Sequence, residues 1–153
     1  MRRLVFISAL LAALVAAAPA NGAVMLAKNC GSSCTTFQAN GSGWVSVVGN
    51  GAEWGTVASG TIWVRDRTGS GNPKNWVHGS GLSWKNIGDD GWKVTSKHSM
   101  TVNATGKFWV KLQGPGVQIC GVVDGSGKLA GSGTYSLNGK SHSWSRSATS
   151  LHF

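Results

Sequence analysis

Residues Gly43–Asp66, GWVSVVGNGAEWGTVASGTIWVRD, decide how the rest of the chain is read. Three apolar runs, Gly43–Val48, Glu53–Ala58 and Thr61–Asp66, are separated by Gly49-Asn50-Gly51 and Ser59-Gly60. Asn-Gly between alternating apolar runs is a strong hairpin signal, because both central residues of a type I′ turn need positive φ. The stretch therefore reads as a three-stranded meander. Part of it returns 65 residues later: Trp44, Val45, Gly49, Gly51, Val57 and Gly60 match Trp109, Val110, Gly114, Gly116, Val122 and Gly125, and Val47 falls against Leu112. Identities that include the glycine punctuation suggest a duplicated supersecondary unit.

The same grammar continues on both sides. Thr35–Gln38 is a short β-branched and aromatic run, and Leu82–Ile87 and Trp92–Ser96 flank Gly88-Asp89-Asp90-Gly91. Gly106–Gln113, the Gly114-Pro115-Gly116 turn and Val117–Val123 follow, and Thr134–Leu137 and Lys140–Trp144 flank Asn138-Gly139. Five Asn-Gly or Asp-Gly dipeptides, at 40–41, 50–51, 90–91, 124–125 and 138–139, punctuate a chain with no helical periodicity past its first twenty residues. The expected fold is all-β, an antiparallel sandwich or barrel of short strands joined by these turns. Residues 67–81, RTGSGNPKNWVHGSG, read as an irregular connection in which only Trp76-Val77-His78 could pair.

The beginning of the chain reads as an address. Arg2 and Arg3, the apolar run Leu4–Ala17 and the small-x-small Ala18-Pro19-Ala20 have the order of a secretory signal peptide, residues 1–20, with an uncleaved anchor as the alternative. Residues 21–153 are then a single secreted β domain, with no later segment apolar enough to span a membrane. Removing Arg2 and Arg3 from fourteen basic residues leaves twelve against five acids, a net of +7. Such an excess attracts anionic partners. Three cysteines leave one over. Cys30 and Cys34 in CGSSC are the first choice for a disulfide, with Cys120 joined to either as the alternative, and Cys120 otherwise reads as a small buried hydrophobe.

Period-two alternation assigns faces. Phe108, Val110 and Leu112 share one side and Lys107, Trp109 and Lys111 the other; Ile62 and Val64 oppose Trp63 and Arg65; Val45 and Val47 oppose Trp44 and Ser46. Trp44, Trp63 and Trp109 thus fall on a face with Arg65, Lys107 and Lys111, whereas Trp84 and Trp92 are in phase with Leu82 and Val94 and read as core. Such a face is either an aromatic platform with cationic edges or packing, covered in a two-layer fold by residues 67–81.

The glycines at 49, 51, 55 and 121, the strand Gly60–Asp66, Phe108–Gly116, Gly133–Ser136 and the closing Leu151-His152-Phe153 make a pattern that resembles a family of secreted, glycine-rich, all-β proteins of actinobacteria, over roughly residues 42–153. The resemblance implies a fold and an export route and no mechanism. The tryptophan richness and the CGSSC segment depart from it.

Catalytic chemistry is hard to assemble from these residues. Glu53 is the one glutamate; Asp89, Asp90 and Asp124 sit in glycine turns, and Asp66, between Arg65 and Arg67, reads as a surface ion pair. A glycosidase would need Glu53 and Asp66 to flank one cleft. His78, His98, His142 and His152 are scattered, without metal-ligand spacing. No cofactor or metal is expected, and no specific nucleic-acid partner. The expectation is a secreted, non-catalytic domain that binds an anionic cell-wall polymer or glycan through Trp44, Trp63, Trp109, Arg65, Lys107 and Lys111. The alternatives are an interaction protein using exposed sheet edges and, further off, a hydrolase.

Overall fold

The computed structural model describes residues 35–69 and 71–153. The expected leader and the Cys30–Cys34 pairing lie outside the described residues. Among the described residues the fold is all-β, a single antiparallel sheet of eight strands. These are β1 (Thr35–Val57), β2 (Gly60–Asp66), β3 (Val77–Gly79), β4 (Ser83–Gly88), β5 (Gly91–Ser96), β6 (Met100–Leu137), β7 (Lys140–Ser143) and β8 (Thr149–His152). One turn of 3-10 helix, Pro73–Trp76, precedes β3. No helix among the described residues is long and apolar enough to cross a membrane.

Two of the strands are not short. β1 has 23 residues and β6 has 38, and they pair along both edges of β1. Along residues 43–57 of β1, residues 100–114 of β6 follow one edge and residues 118–131 follow the other. Ile119 in turn lies between Ala39 and Gly55, two points of β1. A flat strand cannot flank the same neighbour twice, so the sheet coils. The two copies of the sequence repeat meet inside this arrangement: Trp44 is opposite Gln113 and Val48 opposite Trp109. β2 adds to the outer edge of 108–113, followed by β5 and β4.

The meander reading of Gly43–Asp66 is corrected here. Asn40-Gly41, Asn50-Gly51 and Asp124-Gly125 lie inside paired strands. Glycine serves close approach there, not reversal. Gly41 stands opposite Gly133, Gly43 opposite Gly131 and Gly49 opposite Gly125. A Cβ on Gly41, Gly49 or Gly125 would run into a carbonyl of the facing strand, so the coil is tight where the sequence is bare. True reversals occur at two of the expected places. Asp89 and Asp90 (φ 47° and 54°) join β4 to β5, and Asn138 and Gly139 (φ 49° and 78°) join β6 to β7, each with the paired positive φ that such hairpins demand.

Alternation predicts the interior under 43–48 correctly. Val45, Val47, Ile62, Val64, Phe108, Val110 and Leu112 are fully buried. Each such side chain contributes about 1.5–3 kcal/mol of burial. The connection after β2 closes an end of this core: Pro73 and Val77 are buried, Trp76 packs against the cluster, and β3 pairs with 100–102 of β6, using Val77 and His78 of the expected run while Trp76 stays in the 3-10 turn. Trp84 and Trp92 are on the core side but only half-buried at its rim, edge-to-face at 6.2 Å, with the Lys74 Nζ 3.7 Å from the centre of the Trp92 ring.

Candidate functional site

The face opposite this core collects the expected residues through strand register. Trp63 of β2 is opposite Lys111 of β6 on one side and Lys93 of β5 on the other. Ser46 of β1 is opposite Lys111 on one side and Lys128 on the other. Lys93 is opposite Lys85 of β4, and Lys128 is opposite Ser150 of β8. One row across the sheet therefore reads Ser150, Lys128, Ser46, Lys111, Trp63, Lys93, Lys85. The next row, one pleat along, reads His152, Ser126, Val48, Trp109, Arg65, Gly91.

Trp44, Trp63 and Trp109 are each half-buried and are not core residues. Their rings carry cations. The Lys111 Nζ sits 4.9 Å from the centres of both the Trp44 and Trp63 rings, the Lys93 Nζ is 5.6 Å from Trp63, and the Arg65 guanidinium carbon is 5.7 Å from Trp109. Trp109 Nε1 donates to Ser46 Oγ at 2.9 Å, which fixes the indole between β1 and β2. Within the connection that follows β2, Trp76 and Val77 pack on the core side. Lys107 shares the face but is exposed at its margin, opposite Asn50, and contacts no ring among the described residues. Lys85, Lys93 and Lys128 were not singled out by the sequence pattern. The phase of Lys93 between Trp92 and Val94 marks it as outward, but its place beside Trp63 is a matter of register.

Acids are sparse around this face. Asp89 reaches Arg65 at 3.7 Å from the β4–β5 turn, and its side chain is largely exposed. The Arg65 Nε is buried and has no acceptor among the described residues. Asp66 is not the surface ion pair that its arginine neighbours suggested. It is 6% exposed and accepts from the Thr68 amide (2.8 Å), the Thr68 hydroxyl (2.6 Å) and the Gly71 amide (2.6 Å). Burial opposes its charged form, but these hydrogen bonds outweigh burial and hold its carboxyl below the usual range.

Glu53 is the anomaly of the chain. It points inward from β1, is 2% exposed, and neither carboxyl oxygen has a hydrogen-bond partner among the described residues. Burial pushes its pKa well above the ordinary carboxyl value. Glu53 is thus buried without a partner among the described residues, whereas Asp66 is engaged by its own loop. Cys120 is half-buried rather than core, opposite Trp54 and Gln38, with its thiol pKa raised by burial and then by the Glu53 charge. Among the described residues no cluster of three or more His, Cys, Asp or Glu is placed to hold a metal ion.

A shallow groove of about 230 Å³ borders the lysine row where β8 meets β6 and β1, and Ser46, Trp109, Ser126, Lys128, Ser150 and His152 contribute to its walls. No family model, curated protein or solved structure matches this chain.

Proposed function

We propose that this is a secreted, non-catalytic protein that binds an anionic polymer or glycan through the face of Trp44, Trp63, Trp109, Arg65 and Lys111, extended by Lys93, Lys85 and Lys128. The observation that carries the reading is the pair of ammonium groups, from Lys111 and Lys93, held against the single indole of Trp63. Each cation–π contact is worth about 0.5–1 kcal/mol at such a site, enough to orient a lysine that would otherwise wander in solvent. The indoles seat the cations, so the ligand meets charge first and aromatic surface second. Arg65, with its guanidinium over the Trp109 ring, adds a further cation at the same face.

Edge pairing is the weaker reading, because the end strand β4 carries Lys85, and an edge lysine discourages strand addition. The test is a tryptophan-fluorescence titration with a polyuronate and with an uncharged glucan, each at low and at high salt. The expected result is a change with the polyuronate alone that weakens as salt screens exposed charges. Equal responses to both polymers, or none to either at low salt, would overturn the proposal.

A further inference from the structure

The spacing of the lysines specifies more than net charge. Resting on the polyanion reading, we propose that the ligand is a linear glycan with one anionic group per disaccharide, lying across the strands from the groove beside Trp109 to Lys85. In the row, Lys128 and Lys111 are separated by Ser46, and Lys111 and Lys93 by Trp63. Neighbouring strands are about 4.8 Å apart, so these cations recur every two strands, at about 10 Å. That interval corresponds to one disaccharide of an extended linear glycan. The positions between the cations, Ser46 and Trp63, carry no charge, which suits an uncharged sugar.

The groove extends the same logic to one end. The hydroxyl-bearing Ser46, Ser126 and Ser150 and the His152 imidazole surround a depression next to Lys128, where hydrogen bonding to sugar hydroxyls is available. At the other end Lys85 and Lys93 are directly opposite each other, and like charges directly opposite in a ladder are destabilising. An anion lying over them would relieve that repulsion. Single-stranded nucleic acid fits less well. Such ligands stack bases on open aromatic faces, whereas the Trp44 and Trp63 rings are already occupied by lysine.

The decisive comparison holds charge number constant and changes its spacing. The probes are a hyaluronan hexasaccharide, with three carboxylates on alternate sugars, and trigalacturonate, with three on consecutive sugars. The hexasaccharide is expected to bind roughly tenfold more tightly, a difference of about 1.4 kcal/mol. Hyaluronan tetrasaccharide should be weaker than the hexasaccharide, because it cannot reach Lys128, Lys111 and Lys93 together. Lys128→Ala should abolish the advantage of the hexasaccharide, and Lys140→Ala, on β7 and outside the row, should leave it intact. Equal binding of the two charge-matched probes, or preference for trigalacturonate or for a single-stranded oligonucleotide, overturns the disaccharide assignment and leaves the polyanion reading in place. No binding by any of them at low salt removes both.

Discussion

Two halves of the same long strand are built in opposite ways. Where β1 runs through 43–48, the inner side is wholly apolar, with Val45 and Val47 against Val110 and Leu112, and the outer side is cationic and aromatic. Where it runs through 51–57, the inner side holds Gly51, Glu53, Gly55 and the buried Val57, with Gly121 and Ala104 opposite Glu53. The outer side there carries Trp54, 37% exposed, among uncharged neighbours: Cys120 and Asn103 opposite it, and Gln118 and Thr101 opposite Thr56. The first half places charge outside over a dry interior. The second places its charge-capable group inside under a neutral surface. A tryptophan on a β-sheet is therefore not one kind of feature. Trp63 is a seat for two lysines, and Trp54 has no cation or ring against it among the described residues.

The sharpest way to test the contrast is to neutralise its interior member. The folded-state pKa of Glu53 is raised, so its contribution to stability is intact below the ordinary carboxyl value and is lost as pH rises through the raised one. The slope is at most about 1.4 kcal/mol per pH unit for one group. Glu53→Gln should match the parent in acid, exceed it increasingly as pH rises, and remove this slope, as read from denaturant midpoints across the pH range. Asp66 works the other way, since its lowered pKa contributes stability above the usual carboxylate range that is lost as pH falls. Identical pH profiles for the parent and Glu53→Gln would mean that Glu53 is not held uncompensated in the core.

A smaller effect separates the two tryptophans. Trp63→Ala removes a half-buried indole and the support of Lys111 and Lys93. It should cost about 1–3 kcal/mol, below the roughly 3–5 kcal/mol of a fully buried aromatic, and it should weaken polyanion binding. Trp54→Ala should stay within about 0.5 kcal/mol of the parent and leave polyanion binding unchanged. Equal losses of stability from both substitutions would dissolve the distinction between the faces.

The smallest expected change reverses the Lys85–Lys93 repulsion. Lys85→Glu creates an opposite-charge pair across β4 and β5 and should stabilise the fold by about 0.2–1 kcal/mol. The same substitution should lower affinity for anionic glycan. A variant both less stable and unimpaired in binding would show that this end of the row has no part in the site.

What is local was legible in the sequence. Alternation placed Val45, Val47, Ile62, Val64, Val110 and Leu112 inside and Trp44, Trp63 and Trp109 on the other side, because successive strand residues must point to opposite faces. Turn chemistry located the reversals at 89–90 and 138–139, where the backbone needs positive φ. The same dipeptide logic failed at 40–41, 50–51 and 124–125, since a glycine that permits a turn also permits a close strand, and the facing glycine lies far along the chain. Reading a turn at 49–51 also broke the phase that would have carried Val45 and Val47 on to Glu53 and Val57, and so hid the buried carboxyl. The single row of Lys128, Lys111, Lys93 and Lys85 was not legible in the sequence. That alignment is set by which strands pair and in what register, and register depends on hydrogen bonds between segments that no local pattern connects.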